Sequence, residues 1–335
     1  MVAGLPKNVV QRYFFHFRVP LRYSDVERLL DILKTPEYDV SQFPKRYSAH
    51  NLVLIKRALE DCRRNEGIMT RAGAEAETSL LEAAAEMGDS TAIALLCGSR
   101  MRQSDVSPED MESGSDLLTQ LMNAKFPLAF KVSGDLAYTM GRPQESAKFY
   151  HRALEMGLGD NRLEVECLRN LGIFAFQQSR LMEARDYFSQ ACSRAEDPKQ
   201  VLDCHFFLAQ LREPDRVAVR RHLEAAATYG FNDAFLPLGS LLLNWYSEPV
   251  VAREWFKLAA ATDRTGAALI GLLDAAVRLE EWEYADSVIA RIRGLGDEVG
   301  ANLLNARKTS IEQVQNHVVK KVIQTDQTRS GRFDL

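Results

Sequence analysis

The 335-residue chain has no run approaching the ~18 uninterrupted apolar residues that a membrane-spanning helix needs. It has no basic excess either: 42 Lys and Arg face 46 Asp and Glu, a formal net charge of −4 and a pI of about 6.0. A dedicated nucleic-acid binder carries the opposite balance. Cysteine is scarce and odd in number, five residues with no CxxC pair, which excludes a disulfide framework. The six histidines are scattered, and His205, although it follows Cys204, is followed by no paired ligands at zinc spacing. No glycine-rich phosphate loop follows a strand pattern, and no GxSxG elbow is present. Catalytic, cofactor-binding and metal-ligating residues are therefore expected to be absent, and the chain is expected not to be an enzyme.

The acids are missing from one place in particular. The first is Asp25; Lys7, Arg12, Arg18 and Arg22 give the segment 1–24 a charge of +4, so the remainder of a chain of net charge −4 carries −8. Between Pro6 and Pro20, Val9, Val10, Tyr13, Phe14 and Phe17 recur at helical spacing, with Arg12, His16 and Arg18 toward the other side. An acid-free, Arg-containing segment of this kind reads as a mitochondrial targeting sequence, dispensable for the fold. It is not a secretory signal, because Arg12, His16 and Arg18 interrupt any apolar core.

What the chain has in abundance is repetition. A small residue is followed one helical turn later by two adjacent bulky apolar residues, and after a second turn by another small or apolar residue. The clearest copies are Ala252, Trp255-Phe256, Ala259; Ala184, Tyr187-Phe188, Ala191; and Ser146, Phe149-Tyr150, Ala153. With the weaker copies included, the pattern opens in order at Gly114, Ser146, Ala184, Val219, Ala252 and Ala285, at intervals that vary around the length of one helical hairpin. Upstream of three copies stands a glycine within an apolar helical stretch: Gly134 precedes Ser146, Gly172 precedes Ala184 and Gly239 precedes Ala252, at almost the same distance each time. A glycine inside a helix costs about 1 kcal/mol relative to alanine. A recurrent one points to close approach, with the bulky residue of one helix seated on the backbone of its partner.

The periodicity predicts helix pairs at 90–101 and 112–125, 128–140 and 143–156, 164–178 and 181–195, 199–212 and 215–229, 233–246 and 249–262, and 265–279 and 282–294. The breakers agree: Gly141, Gly157, Gly230, Asp263 and Gly296 fall at helix ends, and Pro143, Pro214 and Pro249 near second-helix starts. Glu280, Glu281 and Glu283 read as a solvated acidic turn. Hairpins of about 34 residues resemble tetratricopeptide repeats and their Sel-type relatives. The resemblance implies an all-α, right-handed solenoid of helical hairpins with extra N-terminal helices and a C-terminal capping helix. The expected organisation is a targeting-like basic segment at 1–24, N-terminal helices at 25–74, the repeat solenoid at 75–300, one helix at 301–324 with a stripe of Ile311, Val314, Val318 and Val322, and a disordered tail at 325–335. The cysteines fall in predicted helices as small buried side chains. Cys167 and Cys204 occupy equivalent positions, at the same distance before Gly172 and Ala209, from which they could face each other across adjacent repeats.

In tetratricopeptide-like repeats the first helices line a concave groove. Carried over by position, that groove includes Lys131, Asp135 and Tyr138 from one repeat and Arg169, Ile173 and Phe176 from the next, followed by Phe206, Gln210, Leu236, Ser240 and Leu243. A face that mixes apolar, basic and acidic groups suits a peptide segment of a client protein better than a polyanion.

Five segments carry a closer resemblance: LLEAAAEMGDSTAIALL (80–96), GDLAYTMGRPQESAKFYHRALEM (134–156), EPDRVAVRRHLEAAATYGFNDAFLPLGSLLLNWY (213–246), VAREWFKLAAATD (251–263) and EEWEYADSVIARIRGLG (280–296). They resemble the mitochondrial family, known from budding yeast, required for membrane insertion and export of cytochrome c oxidase subunit two. The resemblance implies a non-enzymatic, cofactor-free scaffold in the matrix, peripheral to the inner membrane. Its implied partners are subunit two and the insertion machinery, with no nucleic acid and no small-molecule substrate. Two other readings compete. One is a generic Sel-type adaptor outside mitochondria. The other is a mitochondrial RNA-binding helical-repeat protein, disfavoured by the acidic body and by the uneven spacing of the copies.

Overall fold

The computed structural model describes residues 4–35, 38–103, 106–211, 215–262, 266–295 and 298–330, the side chains of 298–300 and 320–330 excepted. Asp263 and Gly296, placed at helix ends by the sequence, and Pro214, placed near a second-helix start, lie outside the described residues, as do the side chain of Val322 and 331–335 of the expected tail. The chain divides into two compact units, 1–167 and 168–335. Among the described residues every regular element is helical, and the architecture is an all-α repeat solenoid.

The first unit holds α1 (Lys7–His16), α2 (Tyr23–Leu33), α3 (Ala49–Asn65), α4 (Arg71–Glu86), α5 (Ser90–Arg100), α6 (Pro108–Asn123), α7 (Pro127–Thr139), α8 (Pro143–Met156) and the first turns of α9 (Asn161–Gln177). Its starts follow ordinary capping chemistry: Asp89 accepts from the Ala92 amide at 2.9 Å, Ser107 accepts from that of Asp110, and Pro108, Pro127 and Pro143 occupy first-turn positions where no amide is needed. Leu5, Val10 and Phe14 are buried with Leu29, Leu52, Ile55 and Leu80 in one core. The segment expected to be dispensable thus supplies part of that core: α1 turns its apolar stripe onto α3, and Arg12 bridges Glu66 at 2.5 Å. Its outer face, with Phe15, remains exposed. Arg63 meets Glu77 through two guanidinium nitrogens at 2.8 and 2.9 Å and ties α3 to α4.

The second unit continues with the rest of α9, α10 (Leu181–Arg194), α11 (Leu202–Leu211), α12 (Arg216–Thr228), α13 (Phe235–Asn244), α14 (Pro249–Thr262), α15 (Gly266–Arg278), α16 (Trp282–Arg293), α17 (Glu298–Asn305) and α18 (Lys308–Ser330). The six helix pairs fall where the periodicity places them. The expected single helix at 301–324 is two, broken between Asn305 and Lys308, where Arg307 turns back to Asp274 at 2.8 Å. Helical backbone continues to Ser330, into the stretch expected to be disordered. Val314 is fully buried against the unit's core, with Ile311 and Val318 half-buried beside it and His317 stacked on Trp282 at 4.2 Å between ring centroids. This helix closes the exposed flank of α15 and α16, which is what a cap does.

The recurrent glycines are contact points. A Cβ on Gly134 would stand 2.7 Å from the ring of Tyr150, one on Gly172 2.5 Å from Phe188, and one on Gly239 2.8 Å from Phe256. In each bulky pair the second residue is buried on the glycine, while the first, Phe149, Tyr187 or Trp255, keeps more contact with solvent. Ser146 adds a hydrogen bond, its hydroxyl donating to the Gly134 carbonyl at 2.7 Å.

Candidate peptide-binding face

In the first unit, Lys131 and Asp135 lie one turn apart on α7. The Lys131 ammonium reaches Asp135 at 2.8 Å and Glu166 of α9 at 2.9 Å, and Asp135 also accepts from the Tyr150 hydroxyl at 2.8 Å. Burial opposes the charge on Lys131, but Glu166 and Asp135 outweigh it and hold the lysine above its ordinary pKa. Lys131 is largely enclosed, with 12% of its side chain exposed, whereas Tyr138 is 44% exposed. Of this trio Tyr138 is the side chain presented to solvent.

In the second unit, α9, α11 and α13 present the remaining candidates. Arg169 bridges Asp203 of α11 at 2.5 Å. Ile173 and Phe176 follow on α9, half-buried, and the Phe176 ring meets Phe207 at 4.9 Å. Phe207 stacks in turn on Phe188 at 5.1 Å and 7°. Phe206 is half-buried between Phe207 at 5.9 Å and Phe231 at 5.4 Å. Gln210 is exposed, and Leu236 and Ser240 are half-buried. Leu243 is 2% exposed and belongs to the core of the unit. The structure thus brings Phe176, Phe206 and their neighbours together as an aromatic floor, with the Arg169–Asp203 pair beside it.

Three features escape motif reading. Phe207 joins Phe176 to Phe188, although its sequence position resembles that of any core aromatic. The charged partners Glu166 and Asp203 each lie about one repeat beyond the cation they meet, Lys131 and Arg169. Arg220 pairs with Glu248, and Arg253 with Glu281, the same rung moved on by one repeat. That recurrence is the signal that would have exposed the rungs, and it makes Glu281 part of the framework rather than of a solvated acidic turn. Cys204, meanwhile, has Cys192 as a sulfur neighbour. Among the described residues no three His, Cys, Asp or Glu side chains converge in a metal-holding arrangement, and no helix is long and apolar enough to cross a membrane.

Paired charges, half-buried aromatics and exposed polar groups thus stand on successive helices. A tetratricopeptide repeat family model matches residues 131–197. Among solved structures, a Pseudomonas aeruginosa pilF protein is similar over 65% of this chain and 97% of its own, at 18% identity and a TM-score of 0.48. Yeast Tom70 is similar over 96% of this chain and 62% of its own, at 14% identity and a TM-score of 0.42. Over 328 residues, 91% of each chain, the protein is 22% identical to Protein MSS2, mitochondrial, of Saccharomyces cerevisiae.

Proposed function

We propose that the protein is a non-enzymatic scaffold on the matrix face of the mitochondrial inner membrane. It receives a peptide segment of cytochrome c oxidase subunit two and assists export of the C-terminal tail of that subunit during complex IV assembly. The observation that carries this reading is similarity to the yeast mitochondrial protein along nearly the full length of both chains. The acid-free basic start of the sequence, with Arg18 and Arg22, supports import into mitochondria.

The binding face we assign in the second unit is the aromatic floor of Ile173, Phe176 and Phe206 with Arg169, Gln210, Leu236 and Ser240 around it. Tyr138, with Lys131 and Asp135 behind it, offers a separate contact in the first. An extended or helical client segment gains apolar anchors on such a floor and orientation from the charged rim. The experiment is site-specific crosslinking to newly made subunit two in isolated mitochondria, with export of its C-terminal tail followed in parallel. Phe176→Ala combined with Phe206→Ala is expected to weaken crosslinking at least tenfold in a variant that still folds and is imported, and Arg169→Glu to make capture more salt-sensitive. Full export by a folded, imported triple variant overturns the assigned face. A carbonate wash that leaves the protein in the membrane pellet overturns peripheral attachment.

A further inference from the structure

Four side chains that binding leaves unused converge on one another in the second unit. Cys192 comes from the end of α10, Cys204 and His205 from adjacent positions of α11, and His222 from the middle of α12. The Cys192 sulfur lies 3.8 Å from His205 Nδ1, and that nitrogen lies 2.9 Å from His222 Nδ1. The imidazoles stand 5.2 Å apart between centroids. Cys204 is fully enclosed, His222 is 7% exposed, and Cys192 and His205 are partly open to solvent.

The Nδ1 of His205 faces both the Cys192 sulfur and His222 Nδ1, and as a single ring nitrogen it bonds to one of them at a time. Cys204 is the other thiol that acts on this sulfur. These donors stabilise a thiolate. The hydrogen bond from Cys204, against the opposing effect of burial and with help from His205, lowers Cys192 to a pKa of about 6. The same bond raises Cys204, aided by burial and by the Asp203 carboxylate, while Arg169 works weakly the other way. The pair is therefore asymmetric: one accessible, ionised sulfur beside one buried, protonated sulfur. Cys62, Cys97 and Cys167 are buried, and burial raises each of them.

We propose that Cys192 and Cys204 form a reversible dithiol–disulfide site that exchanges with small disulfides of the glutathione class, Cys192 attacking and Cys204 resolving. In the first step the Cys192 thiolate attacks one sulfur of the oxidant. The S–S bond of the oxidant breaks, and one thiolate leaves and takes up a proton. In the second step Cys204 loses its proton and attacks the Cys192 sulfur, displacing the second thiol. Two protein thiols have then lost two electrons and two protons, and the oxidant has gained both. The resulting bond ties α10 to α11 beside the Arg169–Asp203 pair, so its redox state is coupled to the stiffness of that repeat.

The test uses the full-length reduced protein and glutathione disulfide, with mass spectrometry of the cysteine peptides. The expected result is a Cys192–Cys204 linked peptide formed well before modification of Cys62, Cys97 or Cys167. Cys204→Ala is expected to accumulate a glutathione adduct on Cys192 instead. Alkylation of Cys192 in the wild-type protein is expected to fall off below about pH 6, with the midpoint moved toward the ordinary thiol range in His205→Gln. A wild-type protein in which Cys192 reacts no faster than the three buried cysteines overturns the nucleophile. A stable glutathione adduct on wild-type Cys192 with no linked peptide overturns the pair.

Discussion

The ring of Phe188 lies on the backbone of Gly172, so that a Cβ at Gly172 would stand 2.5 Å from the ring edge. Nothing larger than hydrogen fits at that position without separating α9 from α10. Gly172→Leu is expected to lower stability by ~1–3 kcal/mol, as overpacking does, and the melting temperature by several degrees. The double variant Gly172→Ala with Phe188→Leu, which removes the ring in the way, is expected to recover part of the loss. Calorimetry of the two variants checks this, and an unchanged melting temperature in Gly172→Leu removes the close contact from the account.

Lys131 offers a pH-dependent test. Its pKa is raised in the folded chain because Glu166 and Asp135 outweigh the cost of burial. A raised lysine pKa stabilises the fold at pH values below that of the unfolded side chain, and the contribution disappears as pH rises through the folded value. Lys131→Met is expected to be less stable than wild type at pH 7, with the gap narrowing through the alkaline range above the ordinary lysine pKa. Denaturant midpoints measured from neutral to strongly alkaline pH give the answer. A gap that stays constant assigns the loss to packing instead.

At the turns inside four of the hairpins, one residue adopts a left-handed backbone: Gly141 at φ 70°, Ser179 at 57°, Ser247 at 53° and Glu280 at 56°. Of these only Gly141 lacks the Cβ that makes the conformation costly. Glu280→Gly is expected to raise stability by about 1 kcal/mol, because a side chain at positive φ costs that much or more. Thermal melting of the single variant is sufficient to test it, and a lower melting temperature would count against the turn geometry.

The C-terminal helix carries a sharper expectation. Val314→Asp places a carboxylate against a fully buried apolar site on α15 and α16. It is expected to expose the end of the repeat array and drive the protein into the insoluble fraction. Val319→Asp, at an exposed position of the same helix, is expected to stay soluble. Equal solubility of the two variants would show that α18 does not cap the unit.

The N-terminal helix gives the companion experiment. Phe14→Ala empties a core site and is expected to cost ~3–5 kcal/mol, whereas Phe15→Ala, on the exposed face one position later, is expected to be close to neutral. Proteolysis of the first unit reads both. Comparable protection of the two variants would detach α1 from the core.

Much of the helical order is legible in the sequence because it rests on local rules. A glycine followed at a fixed distance by a small residue and a bulky pair marks where two helices touch, and proline or glycine marks where they end. The burial of Tyr150, Phe188 and Phe256 follows from that spacing alone. Partner choice is another matter. Lys131 has several acids within reach in sequence, and only the tertiary offset between α7 and α9 selects Glu166. The departure at α1 has a simple origin: an amphipathic helix shows an apolar stripe whether it covers a core or a membrane. The Cys192, Cys204, His205 and His222 cluster was invisible for a related reason. Its members stand on α10, α11 and α12, and all three helices must pack before they meet. The aromatic floor was legible only in part, since Phe176 and Phe206 followed from repeat position while Phe207 and the burial of Leu243 depended on packing.

The Arg220–Glu248 and Arg253–Glu281 rungs are one repeat apart, and each joins a second helix only to the turn opening the next second helix. A linkage that reaches one neighbour and no further makes cohesion along α12, α14 and α16 nearest-neighbour in character. Disruption of one rung therefore loosens a boundary without dissolving what lies two repeats away, and the array yields stepwise under load. The same modularity has a genealogical side. A segment copied or excised in whole repeats arrives with half of one rung at each end, ready to meet the matching half already in place, so that the number of repeats is free to change while the joints between them persist.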